Sequence, residues 1–122
     1  MIRLRTSRPL QGLSRVFDLK ARLDWGEPAL TIIDVRDRSE FNTSHILGAV
    51  PMPLNESTQR VLDKLELGRD IYIYGATDEE TAAAAAQLRA AGYQNVSEIR
   101  GGLAAWKAVG FPVESLLATA IL

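Results

Sequence analysis

The 122-residue chain contains no cysteine and only one histidine. The first absence excludes disulfides, thiolate metal centres, iron–sulfur clusters and every reaction that runs through a thiolate. The second excludes a zinc site built from several imidazoles. No apolar run approaches the ~20 residues of a membrane-spanning helix, and the start has no apolar core of a secretory signal. Neither charge sign is in large excess. Fourteen basic and 15 acidic side chains leave a net charge of −1, so there is no overall basic field to hold nucleic acid. The expectation is a cytoplasmic, soluble protein that needs no metal and no cofactor and has neither a nucleic-acid nor a membrane partner.

What is present is globular in composition: 47% hydrophobic and 24% charged residues. A chain of this length supports one domain with an adequate core and no need of staples. The positive charge is unevenly placed. Arg3, Arg5, Arg8 and Arg15 fall in the first 17 residues, which hold no acid. An acid-free, Arg-rich start fits an organelle transit segment. A simpler reading is a short edge strand or arm, because Ile2 and Leu4 alternate with Arg3 and Arg5.

The rest alternates helical and extended patterns. Leu19, Leu23 and Trp25 have roughly helical spacing before Gly26 and Pro28 stop the segment. Residues 29–35 form an almost wholly apolar β-rich run with Asp34 as its one acid, the pattern of a strand buried on both faces in a parallel sheet. Residues 37–42 fit one or two helical turns, and 48–53 a short strand ended by prolines. Asn55 is placed to cap a helix carrying Val61, Leu62, Leu65 and Leu67, closed by Gly68. Residues 70–74 make a third strand that runs into Gly75. A helix follows almost at once, with Thr77 and Glu80 spaced as a capping box and an alanine run at 82–86 behind them. Residues 95–99 make a fourth strand, Gly101 and Gly102 a turn, and 103–109 a last helix. Short connections between alternating strands and helices predict an α/β fold with a mainly parallel sheet covered on both faces. Trp25 and Trp106 are expected in the core.

Three blocks, in order, resemble the rhodanese (thiosulfate sulfurtransferase) domain family: Leu30 to Asp37 with Glu40 and Phe41; His45 to Val50; and Leu88 to Val96 followed by Arg100 to Trp106. The resemblance implies a single rhodanese-like domain over 18–114, with a basic segment at 1–17 and an apolar tail at 115–122. It also implies structural roles for Asp34, Arg36, His45 and Trp106, with Arg36 within reach of Glu40. In the tail, Leu116, Leu117, Ala120 and Ile121 share one helical face. They are expected to pack on the domain itself, with a dimer or partner contact as the alternative.

The family carries its chemistry in a loop after the central strand, reading Cys-x-x-x-x-Arg-Ser/Thr, whose cysteine bears sulfur as a persulfide. The matching segment here is Gly75, Ala76, Thr77, Asp78, Glu79, Glu80 and Thr81. Glycine replaces the nucleophile and glutamate replaces the basic residue. Only Thr81 fits. Without a thiolate the chain cannot carry sulfur, and no catalytic residue is expected. Thr77 and Thr81 have hydroxyls but no evident positioned base. The acids suit a helix start, where they complement the dipole, and they repel an incoming anion by roughly 2–3 kcal/mol each at about 6 Å and an effective dielectric near 20. The expected function is a catalytically inactive rhodanese-like protein that binds or regulates a still unidentified protein partner. The alternative is a sulfur-pathway protein whose partner supplies the cysteine. Sequence assigns no oligomeric state.

Overall fold

The structure, a computed structural model, describes residues 10–26, 29–53 and 65–116. In chain order the elements are β1 (Leu13–Ser14), α1 (Val16–Trp25), β2 (Leu30–Asp34), α2 (Arg38–Thr43), β3 (His45–Ile46), β4 (Val50–Pro51), β5 (Asp70–Tyr74), α3 (Asp78–Ala90), β6 (Asn95–Ile99), α4 (Gly102–Ala108) and β7 (Val113–Glu114). Five strands form one sheet in the order β1-β6-β5-β2-β4, and every pairing in it is parallel. The α/β fold with a parallel central sheet is the one the sequence predicts. The strand expected at Ile2 to Arg5, most of the helix expected after Asn55 and the tail beyond Leu116 lie outside the described residues.

Side-chain alternation along the central strands builds two cores. Ile33, Ile71 and Ile73 point to one face and meet Ala84, Ala85 and Leu88 of α3. Ile32, Tyr72 and Tyr74 point to the other and meet Val16 and Leu19 of α1, Phe41 of α2 and Trp106 of α4. This is why β2 and β5 read as continuous apolar runs rather than alternating ones. The alanine run lets α3 lie close on the sheet, with Ala84 and Ala85 buried and the alanines between them and the cap exposed.

Gly26 ends α1 in the left-handed conformation at φ 74°, as its place in the sequence suggests. Trp25, expected in the core, is instead 83% exposed. It sits at the last position of α1, one residue before that cap, while Leu19 and Val16 carry the buried face of the helix. Trp106 is fully buried, and its indole Nε1 donates to the Pro112 carbonyl at 2.7 Å.

A second, two-stranded antiparallel sheet joins β3 to β7, pairing His45 with Glu114. His45 is buried and stacks on Phe41 with ring centroids 3.7 Å apart. Its Nδ1 lies 2.7 Å from the Phe41 carbonyl oxygen and its Nε2 3.2 Å from Glu114 Oε1. His45 thus ties the chain after β2 to the segment after α4.

Two core tyrosines set an alkaline limit. Burial pushes the Tyr72 phenol above its ordinary value near 10. Burial, reinforced by the Asp34 carboxylate, pushes Tyr74 further, and the Tyr74 hydroxyl accepts from the Ile46 amide at 3.0 Å. In the unfolded chain both phenols ionise near pH 10, while in the fold each holds its proton to higher pH. The unfolded state therefore binds fewer protons above pH 10, and stability falls as pH rises, by up to about 1.4 kcal/mol per pH unit for each tyrosine. Urea midpoints from pH 9 to 11 should be flat at first and then drop. Tyr74→Phe should lower the alkaline slope.

Candidate functional site

The sheet order reverses between β2 and β5. From β2 the chain passes through α2 to β4 on one side. From β5 it passes through α3 to β6 on the other. The two helices pack on opposite faces of the sheet. A crevice opens outside the carboxyl ends of two strands whose following connections diverge in this way. Residues 34–36 leave β2 there and residues 74–76 leave β5 beside them, with Val35 N donating to the Tyr74 carbonyl at 3.0 Å.

A cavity of about 550 Å³ occupies this crevice, lined by Arg36, Glu40, Gly75, Ala76, Gly101, Leu103, Ala104, Lys107 and Ala108. Arg36 is fixed by Asp34. The Arg36 Nε lies 3.0 and 3.1 Å from the two carboxylate oxygens, and Nη2 donates to Oδ2 at 2.7 Å and to the Ser44 carbonyl at 2.6 Å. Asp34 is fully buried and the Arg36 side chain 10% exposed. Burial works against the guanidinium charge, but the Asp34 carboxylate outweighs it and holds the group above its usual range. The pairing expected from sequence, Arg36 with Glu40, gives way to this closer one. Glu40 completes the capping box of α2, whose N-cap is Asp37: its Oε1 accepts from Asp37 N at 3.4 Å.

Hydrogen bonds through Thr77 and Thr81 tie the two ends of the Gly75 to Thr81 loop together. Thr77 caps α3, its Oγ1 accepting from Glu80 N at 3.1 Å, which is one half of the predicted capping box. The Thr81 amide donates to the Thr77 carbonyl at 2.9 Å. The buried Thr81 hydroxyl accepts from Gly75 N at 2.7 Å and donates to the Thr77 carbonyl at 2.9 Å. Three loop amides are therefore satisfied from within. A Cβ built on Gly75 would meet Val35 Cγ2 at 3.2 Å and Glu80 Cβ and Thr81 N at 3.3 Å each. From the other side Gly102, at φ +54°, approaches so closely that its own Cβ would stand 3.2 Å from the Gly75 carbonyl. A side chain at position 102 would be strained in φ and crowded against the loop.

The acids stand beside the cavity rather than in its wall. Asp78 Oδ1 accepts from Gly101 N at 2.9 Å, tying the start of α3 to the turn before α4. Asp78 and Glu79 line a smaller cavity, about 300 Å³, with Glu98 and Arg100. Glu80 is exposed and contributes its Cβ to the packing around Gly75. Of the residues singled out from sequence, Gly75, Ala76 and Arg36 share the main cavity, while His45 and Trp106 pack behind it in the core of that face. Lys107, Leu103 and Ala104, which sequence reasoning left unmarked, complete the wall. Among the described residues no group of three or more His, Cys, Asp or Glu side chains could hold a metal. No helix there is long and apolar enough to cross a membrane.

Thr81 is the keystone of the closed loop. Thr81→Val keeps the shape but leaves the buried Gly75 amide without its acceptor, so a loss of about 1–3 kcal/mol is expected. Hydrogen exchange at the Gly75 amide should accelerate in that variant. Unchanged stability and protection would show that the network does not hold the loop.

The description Rhodanese-like domain matches residues 16–109 of this chain. The crystal structure of the Alr3790 protein from Anabaena is similar at a TM-score of 0.82 and 55% identity, covering 85% of this chain and 81% of that one. The uncharacterized protein slr1261 of Synechocystis is 34% identical over 86 residues, which are 70% of this chain and 48% of that protein. The probable adenylyltransferase/sulfurtransferase MoeZ of Mycobacterium tuberculosis is 36% identical over 91 residues, 73% of this chain and 23% of that protein. The chain thus spans half or less of the length of these two curated relatives.

Proposed function

Since the chain belongs to the rhodanese-like domain family, we propose that it is a catalytically inactive member that works by binding or regulating a partner protein. One observation carries the reading. Glycine stands at position 75, where the family bears its sulfur-carrying cysteine, and none of the 122 residues is a cysteine. Sulfur transfer runs through a thiolate, and glycine offers no atom to hold the sulfur.

The geometry of the loop supports the same reading. An active loop offers free amides to an anion. Here three of the seven loop amides, those of Gly75, Glu80 and Thr81, donate to Thr77 and Thr81 instead. This also weighs against the second reading, in which a partner's cysteine completes the site. The place of the missing side chain is bounded at 3.2–3.3 Å by Val35, Glu80 and Thr81, so Val35 and the start of α3 must give by a few tenths of an ångström before a thiol stands there. A cytoplasmic protein without cofactor, and without affinity for nucleic acid or membrane, fits this proposal.

The purified protein, given thiosulfate and cyanide, should form thiocyanate no faster than the blank. Turnover above the blank would overturn the proposal. Turnover that appears only with an added thiol protein, and depends on this chain, would favour the second reading.

A further inference from the structure

We propose that the cavity outside the carboxyl ends of β2 and β5 is a socket for a peptide segment of a partner protein. In it an apolar side chain packs against Leu103, Ala104 and Ala108, and a backbone carbonyl of the segment accepts from Arg36 Nη1. The inference rests on reading the chain as a binding module and names what that module binds.

The charges point away from an anion. The Arg36 guanidinium is already matched by Asp34 through bonds of 2.7–3.1 Å. The two other ionised side chains of the wall, Glu40 and Lys107, have opposite signs. The cavity therefore carries no surplus charge to draw an oxyanion from water, and the nearby acids at 78–80 add repulsion. Its volume of about 550 Å³ lies in the range of sites that enclose many-atom organic ligands. A bare sulfur oxyanion would leave most of it empty.

One donor of Arg36 remains open. Arg36 spends Nε on Asp34 and Nη2 on Asp34 and Ser44. Its Nη1 has no partner among the described residues, although the side chain is only 10% exposed. A charge-neutralised guanidinium with free N–H bonds suits a neutral acceptor such as a peptide carbonyl, held in place by the planar fork. Leu103, Ala104 and Ala108 supply an apolar wall. Glu40 on α2 and Lys107 on α4 are exposed, so the cavity opens to the surface between these helices. A chain can enter and leave there, with flanking residues of either sign meeting Glu40 or Lys107.

The probe is N-acetyl-leucine N′-methylamide, titrated into the ¹⁵N-labelled full chain and followed by amide chemical shifts. Saturable shifts are expected at Gly75, Ala76, Gly101, Leu103 and Ala104, with no such shifts from thiosulfate. Lengthening the probe by a blocked alanine on each side should tighten binding severalfold. Ala104→Phe, on the exposed side of α4, fills the cavity without disturbing the core and should abolish the shifts. Arg36→Lys keeps a cation beside Asp34 but removes the open fork, and should weaken binding about tenfold. If that variant does not fold, Ala104→Phe still decides. No saturable shift, shifts centred on other amides, or full binding by Ala104→Phe would overturn the inference. Equal affinity for short and long probes would assign the cavity to a small molecule and overturn the peptide occupant. Thiosulfate shifting the same amides would restore an anion site, whereas the inactive reading itself falls only if thiosulfate is turned over.

Discussion

Asp34→Ala is expected to cost about 3–5 kcal/mol of folding stability, the usual penalty for leaving one member of a buried ion pair without its partner. In a domain of this size that lowers the melting temperature by roughly 10–20 °C. The reason is local. Asp34 is fully buried at the end of β2, and its two oxygens take the Arg36 backbone amide and the guanidinium. Remove the carboxylate, and the Arg36 charge stays in place among Tyr74, Ser44 and the turn after β2, with a single carbonyl as its remaining acceptor. Asp34→Asn keeps the shape and one acceptor, so it should lose less than alanine does. Pairing Asp34→Ala with Arg36→Met removes the stranded charge and should recover part of the loss, since apolar replacement of a whole buried pair is far cheaper than breaking it. Thermal and urea unfolding of the three variants test the order. A loss below about 1 kcal/mol for Asp34→Ala would show that Arg36 finds solvent or another partner, and that the pair does not hold the β2 end of the crevice.

Much of the fold is legible because its signals are local. β2 and β5 are short, β-branched or aromatic and apolar on both faces, and the glycines and the Thr77 cap mark where α1 and α3 stop and start. Four features are not legible, each for a physical reason. The β3–β7 pairing joins His45 to Glu114 across most of the domain, and two-residue strands leave no periodicity to detect. Arg36 pairs with Asp34 rather than Glu40 because the turn after β2 folds the guanidinium back over a neighbour two residues away, a matter of backbone direction that spacing alone does not give. The closure of the loop depends on the Thr81 hydroxyl bridging Gly75 N and the Thr77 carbonyl. In sequence Thr81 is simply the one residue that still fits the family pattern. The acids at 78–80 are read correctly as residues of a helix start. Their direction is not readable: Asp78 and Glu79 line the smaller cavity with Glu98 and Arg100, and the charged residues of the main cavity wall are Arg36, Glu40 and Lys107.

Gly75→Cys restores the nucleophile and should still give only trace sulfur transfer. Adding Glu80→Arg should raise the rate about tenfold to a hundredfold over the single variant. Two effects act against the lone cysteine. The first is space. Its Cβ arrives 3.2–3.3 Å from Val35, Glu80 and Thr81, so the loop must give by a few tenths of an ångström before the thiol can stand clear. The second is charge. Asp78, Glu79 and Glu80 lie within three to five residues of it on the first turn of α3, and nearby carboxylates raise a thiol's pKa and repel both persulfide and thiosulfate. Exchanging one carboxylate for a guanidinium at about 6 Å reverses an interaction of roughly 2–3 kcal/mol at an effective dielectric near 20. Solvent and salt then reduce the swing to the factor expected. The two effects separate experimentally. Thiolate absorbance against pH should place the Gly75→Cys thiol above the ordinary ~8.5 and lower in the double variant, whether or not sulfur is transferred. Equal thiol titration and equal rates in the two variants would sink the electrostatic account and leave the closed amide network as the reason the site is silent. In that case a third change, Thr77→Gly, which frees the Glu80 amide from its cap, should raise the rate where the arginine did not.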